Sequence, residues 1–316
     1  MNTTKLNPFL PAALAACLVL LLSSPRAARA QAAGEEVETV RVNTRLVQLT
    51  VRAVDSKGRP ARLNSATPAV LADGVPQQIA YVEDSQPATV AVLFDTSASM
   101  TARKAERARR ALAELVRGGD PRNRYLLFSF NDTVRGLGEF GPGDLDRMTR
   151  VLKALPAEGE TALYDATIQA ARVVGSLAGV RGKRALVVFT DGVDTSSRSL
   201  PRDAAAALDQ MGGLVYVQIL GSSLVLSSPE RERDDGASAR ASVVLSAALN
   251  ARPRVFYYEE DLYGASRAIG EDLVRARQLG FYPAGDAAGP GPHRVEIRFP
   301  EVTIRAVART SYFIQQ

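Results

Sequence analysis

Two unbroken apolar runs punctuate the chain, Val90 to Phe94 and Ala185 to Phe189, and each leads to an aspartate, Asp95 and Asp191. Runs of this length, bounded by turn-forming residues, predict strands buried on both faces, as central parallel strands are. Between and after them the period changes. From Ala102 to Arg117, residues Ala105, Ala108, Leu112, Leu115 and Val116 recur at helical spacing. Arg124 to Phe130 reads as a strand ending in Asn131-Asp132, and Leu145 to Leu155 as a short helix. The loop Gly159-Glu160-Thr161 precedes an amphipathic helix with Ala166, Ala170, Val173 and Leu177 on one face. Pro201, suited to a first helical position, opens a helix carrying Ala204, Leu208 and Met211. A strand over Leu214 to Leu220, a helix over Val243 to Asn250, a last strand over Val255 to Tyr258 and a final helix over Leu262 to Arg277 complete the series. Strands alternating with helices predict an α/β domain with a doubly wound, mostly parallel sheet.

Both ends of the chain follow a period of two instead. Val47, Leu49, Val51 and Ala53 alternate with Gln48, Thr50 and Arg52, the pattern of a half-buried strand. A turn at Asp55 to Pro60 follows. Val70 to Ile79 reads as a hairpin with Asp73-Gly74 at its tip. Near the other end Val295, Ile297 and Phe299 alternate with polar residues, and Val302, Ile304 and Ala306 continue the period. Two strands cannot bury a core alone, so these are expected to pair with Val47 to Ala53. The expected organisation is a signal peptide over 1–30, a β-rich segment over 31–87 that is frayed at its start, the α/β domain over 88–277 and a C-terminal β segment over 278–316. Residues 224–237, polar and charged in the middle, read as a surface loop.

Composition sharpens the setting. Lys5, the apolar stretch Leu10 to Leu22 and the small-x-small site Ala28-Arg29-Ala30 read as a secretory signal peptide. Leu14-Ala15-Ala16-Cys17 also resembles a lipobox, which makes lipidation at Cys17 the minority reading. Cys17 is the single cysteine of the 316 residues, so the mature chain is expected to hold no disulfide and no thiol chemistry. Removing the leader takes away three of 39 basic residues and no acid, leaving 36 against 34 acidic residues, a net +2 rather than +5. A balance that small gives no reason to expect a nucleic-acid partner. No membrane span is expected after signal removal.

The chemistry gathers at strand ends. Asp95, Ser97 and Ser99 stand at alternate positions on the turn from a buried strand to a helix, the carboxyl edge where open α/β sheets bind ligands. Thr161 and Asp191 stand on two further loops. Asp95-Thr96-Ser97-Ala98-Ser99 resembles the first loop of the metal-ion-dependent adhesion site (MIDAS) of von Willebrand factor type A domains, whose site also takes a Thr and an Asp from later loops. The resemblance implies a Rossmann-like fold and a metal held by Asp95, Ser97, Ser99, Thr161 and Asp191. The cation would be Mg²⁺, with Mn²⁺ and Ca²⁺ as the other candidates. It implies a protein partner that supplies a Glu or Asp carboxylate. The segment before the domain resembles the β-rich leader of a bacterial secreted family related to these domains, departing from it around Asn64 to Ala69, and Arg252-Pro253 stands where relatives carry Gly-Gly. In some relatives the last helix moves with affinity, and Gly264 and Gly270 are candidates to ease such a shift.

The ligand types suit a hard cation, since Mg²⁺ takes an octahedron of oxygens at about 2.0–2.1 Å. Each candidate also has an ordinary structural reading. Asp95, Asp191, Ser97, Ser99 and Thr161 could each cap a helix, and Asp165 could serve its helix dipole. Glu160, Asp132 and Asp194 are candidates to rim the site. Arg103, Lys104, Arg107 and Arg110 read as a solvated helix face. Enzymatic readings have little to work with: the single His293 lies far along the chain, no G-x-S-x-G elbow occurs, and Gly182-Lys183 leads into a strand rather than a phosphate loop. Mg²⁺-assisted phosphoester hydrolysis is the enzymatic alternative, although Asp95 lacks a second acid two residues on. A structural envelope protein stabilised by an ion is the third reading.

Overall fold

The computed structural model describes residues 46–57, 61, 67–176, 182–191, 194–220, 254–256 and 261–314, with backbone alone at 254–256 and 313. The signal peptide, Cys17, the 224–237 loop and the Val243 to Asn250 helix lie outside the described residues.

Fourteen strands, five α-helices and two short 3-10 helices are present among them. The first strands are β1 (Val47–Val54), β2 (Ala69–Ala72), β3 (Val75–Gln77), β4 (Ile79–Glu83) and β5 (Ala88–Asp95). Then come α1 (Ala102–Gly118), β6 (Arg124–Phe130), β7 (Val134–Phe140), α2 (Leu145–Lys153) and α3 (Leu163–Ser176). β8 (Lys183–Thr190), α4 (Pro201–Met211), β9 (Leu214–Leu220), β10 (Arg254–Phe256) and α5 (Leu262–Arg275) complete the α/β part. The chain ends in β11 (Arg277–Phe281), β12 (Gly291–Arg298), β13 (Arg305–Val307) and β14 (Ser311–Ile314).

The six-stranded sheet runs β10-β9-β8-β5-β6-β7, parallel except for β7 at one edge. Every residue of β5 and β8 is buried, as their apolar runs require. Alternate residues serve opposite faces. Val90, Val92, Phe94, Val187 and Phe189 pack with Leu112 and Leu115 of α1 and Leu262 and Leu273 of α5. Ala91, Leu93, Leu186 and Val188 pack with Ala166 and Ala170 of α3 and Leu208 of α4. Helices therefore cover both faces, and β5 has β6 on one side and β8 on the other. The order reverses beside β5, so the carboxyl ends of β5 and β8 flank a topological switch point.

Each end of the chain contributes to two four-stranded antiparallel sheets, β13-β1-β11-β4 and β14-β12-β2-β3. Their inner faces share one core, with Leu49, Val51, Val70, Leu279, Phe281, Val295 and Tyr312 among its members. Of the two C-terminal strands expected against β1, only the second pairs there, as β13 at Ala53↔Ala306; the Val295 strand, β12, pairs instead with the hairpin strand β2, and the other neighbour of β1 is β11, at Leu49↔Leu279. At the hairpin tip Asp73 and Gly74 have φ of 50° and 83°, as a two-residue turn with positive φ at both central positions demands. Arg52 joins this part to α5 and β9: its guanidinium lies 2.7 Å from Asp272, which also accepts the Tyr216 hydroxyl at 2.8 Å.

Several expectations need correcting. Val173 is exposed, and α3 buries Val174 on that side instead. Val302 is 98% exposed in a turn, outside any strand. The helix expected to reach Arg277 stops at Arg275, because Ala276 turns extended and the next five residues join β1 and β4. Gly280 is required there: a Cβ would come within 2.2 Å of the Tyr81 ring. Gly270 likewise permits close packing, since a Cβ on it would meet the Leu115 carbonyl of α1 at 2.4 Å.

Candidate metal centre

β5 delivers Asp95 to the sheet edge, where it is fully buried. Its two carboxylate oxygens have separate partners. Oδ1 accepts the Ser97 backbone N–H at 2.8 Å, and Oδ2 accepts the Thr190 hydroxyl at 2.5 Å from the last residue of β8. Burial pushes this carboxyl up to about 6; the neighbouring Asp191 charge adds to the rise, while the hydrogen bonds from Ser97 and Thr190 oppose it. A cation at this edge would favour the ionised form. The short loop then turns back, so that the Ser97 and Ser99 hydroxyls lie 3.0 Å apart. Thr101 caps α1 through the Lys104 N–H.

The loop carrying Thr161 is stitched to the first by main-chain bonds. Ala98 N–H donates to Gly159 O at 3.0 Å, and Glu158 N–H to Thr96 O at 2.9 Å. Thr161 itself is buried, with its N–H on the Thr195 hydroxyl at 2.9 Å and its carbonyl accepting from Thr195 N–H at 2.8 Å. That pair of bonds ties the second loop to the third. Asp191 follows β8 directly, and its Oδ2 accepts from the Lys104 ammonium at 3.0 Å. The same ammonium lies 3.2 Å from the Ser99 carbonyl. Asp95, Ser97 and Ser99 are thus in contact, Asp191 is joined to Ser99 through Lys104, and Thr161 is held by its backbone on the loop between them.

Two contributors escape a reading of the sequence. Thr190 looks like the end of an apolar strand, and only the β5–β8 register, which sets Phe94 opposite Phe189, reveals that it faces Asp95. Lys104 belongs to the face expected to be solvated, yet its side chain is only 11% exposed, and Arg107 of the same face is buried as well. The place of Lys104 five residues after Ser99, in the first turn of α1, is the one available signal. The rim candidates divide. Asp132 and Glu160 are exposed. Asp194 instead accepts the Leu163 N–H and the Ser197 hydroxyl, and Ser197 accepts from Tyr164, so the third loop caps α3. Asp165 returns the favour by accepting from Arg198 and Ser199.

The donors at this edge are oxygens, of carboxylates, hydroxyls and carbonyls, which suits a hard cation and not a thiophilic one. Among the described residues no three of His, Cys, Asp and Glu come together as a metal-holding group. A cation here would therefore depend on hydroxyls. The ammonium of Lys104 against Asp191 is a second indication of fit, since a positive charge is already accommodated at the loop junction.

No curated protein matches the chain. Among solved structures, it is similar to an aerotolerance-related membrane protein from Bacteroides fragilis, at 21% identity over 59% of this chain and 98% of that one, with a TM-score of 0.45. A von Willebrand factor type A structure from Catenulispora acidiphila aligns at 11% identity over 80% and 74% of the two chains, with a TM-score of 0.46. Proximal thread matrix protein 1 from the mussel byssus, in a form with zinc in its MIDAS motif, aligns at 14% identity over 64% and 49%, also at 0.46. Residues 90–193 match the family model described as the von Willebrand factor type A domain, a stretch that contains Asp95, Ser97, Ser99, Thr161 and Asp191. The chain carries a von Willebrand factor type A domain.

Proposed function

We propose that this domain is a cation-dependent protein-binding module that acts outside the cytoplasm. Asp95, Ser97, Ser99, Thr161 and Asp191 would hold the ion, Mg²⁺ or else Mn²⁺ or Ca²⁺. The observation that carries the reading is the convergence of three loops at the β5–β8 switch point, with Asp95 buried beneath two facing serine hydroxyls. Once bound, such an ion supplies an electrophilic position for a Glu or Asp carboxylate of a partner protein. With two carboxylates and three neutral hydroxyls as ligands, an octahedral ion keeps a sixth position for that partner carboxylate. The residues of the chain do the rest: Thr190 and the Ser97 N–H fix the Asp95 carboxylate, and Asp194 with Ser197 fixes the third loop on α3.

A binding role is favoured over catalysis by the whereabouts of the imidazole. His293, the only histidine, sits between Asp73 and the Gly289 carbonyl in the flanking sheets, away from the three loops. The leader Lys5 to Ala30 supports an extracytoplasmic setting, and among the described residues no helix is long and apolar enough to cross a membrane. Affinity capture from cell-envelope extract tests the reading. A specific partner should be retained in Mg²⁺ and released by EDTA, and Asp95→Ala should not retain it. Capture that survives both treatments would end the proposal.

A further inference from the structure

Lys104, like Arg107, is a basic residue of α1 withdrawn from solvent. Its backbone is fixed by the Thr101 cap, yet its side chain reaches back across the first loop instead of extending into water. The ammonium meets Asp191 Oδ2 at 3.0 Å and Ser99 O at 3.2 Å, and both partners of the ion pair are close to nine-tenths buried, at 11% and 9% exposure. Both contacts fall on residues of the candidate ligand set, one in the first loop and one in the third.

We propose that Lys104 is a built-in counter-cation of the site, which occupies Asp191 until a divalent ion displaces it. The proposal rests on the metal reading above and adds regulation to it. A tethered ammonium acts at high effective concentration. It neutralises Asp191 in the apo protein and must release that carboxylate, or remain beside the incoming ion at a cost in repulsion. Removing the ammonium therefore strengthens metal binding, whereas removing an ordinary surface lysine changes little. Charge also sets selectivity. A monovalent ion offers Asp191 no more than Lys104 already does, while a divalent ion does.

The test is titration of the purified protein with Mn²⁺ by calorimetry, on wild type, Lys104→Met, Lys104→Gln and Lys104→Arg. Two like charges a few ångströms apart in a partly solvated site make at least about a tenfold difference in affinity. Lys104→Met and Lys104→Gln are expected to bind about tenfold or more tightly than wild type, and Lys104→Arg within about threefold of it. Raising the salt should narrow the gap, because screening weakens repulsion. Melting in EDTA serves as a folding control, with the neutral variants expected to melt below wild type because Asp191 has lost its partner. Equal or weaker binding by both neutral variants, with wild type still binding, overturns the role of Lys104 and leaves the metal reading intact. Binding by the neutral variants alone supports Lys104 as the occupant but contradicts a metal-dependent function of the natural chain. No binding by any of the four ends both proposals.

Discussion

The Asp95 carboxylate is held by a backbone N–H on one oxygen and a hydroxyl on the other, and it lies wholly out of solvent. Each donor therefore matters, since a buried acceptor stripped of its partner costs about 1–3 kcal/mol. Thr190→Val, nearly isosteric, should lower the melting temperature by about 2–12 °C at about 2–4 °C per kcal/mol. Thr190→Ser keeps the hydroxyl and should recover most of the loss. A valine variant that melts with wild type would show that this bond contributes nothing. The positions of Asp95, Ser97, Ser99, Thr161 and Asp191 on their loops were legible, because apolar runs and turn residues mark strand ends in any sequence. The contacts of Thr190 and Lys104 were not. One depends on the register of strands 95 residues apart, and the other on a side-chain direction that helical spacing does not encode.

Among the elements, β5, β6, β8 and β9 were legible because central strands carry long apolar runs, broken inside β6 by Ser129 alone and inside β9 by Gln218 alone. β7 was not, since Gly136 and Gly138 break its pattern and an edge strand needs few buried side chains. β4 and β11 also went unread. β11 follows α5 after a single extended residue, and its Gly280 answers to a tyrosine ring 199 positions earlier rather than to any local rule. The hairpin β2–β3 carries its own test. His293 of β12 places Nδ1 2.8 Å from Asp73 at the hairpin tip and Nε2 2.8 Å from the Gly289 carbonyl, stacked on Tyr312. With an acceptor at each nitrogen, the ring is best satisfied as the doubly protonated imidazolium. Burial opposes that charge, but the bonds to Asp73 and Gly289 and the Asp73 charge outweigh it, and the histidine titrates above its usual 6.5. A raised histidine stabilises the fold fully below the unfolded value, and the gain is lost as pH rises through the folded value. Melting temperature should therefore fall as pH rises from about 6 to 8, and His293→Gln should remove that component of the slope. An unchanged slope in the variant would contradict the clamp.

At the scale of the molecule, β1 joins the flanking sheets to the α/β domain. Thr50 donates to Gln278 at 2.9 Å and accepts from the Arg184 N–H at 3.0 Å, while Arg52 pairs with Asp272 of α5. Polar ties of this kind across a shared strand are expected to make the described parts unfold together. Leu49, fully buried in β1, tests this: Leu49→Ala should cost about 2–5 kcal/mol and shift a single calorimetric transition. Two transitions, only one of them moved, would show that the parts unfold separately. The pairing of chain ends was legible in outline, because two isolated strands cannot bury a core, but the partners β2, β4 and β11 had to come from the structure. The claim on which function depends is that three loops share one cation. Crystals of the protein soaked in Mn²⁺ and measured at the manganese absorption edge test it most directly. The expected result is one anomalous peak among the oxygens of Asp95, Ser97, Ser99, Thr161 and Asp191, lost in Asp95→Ala; a peak elsewhere, or none at these oxygens, would contradict the account.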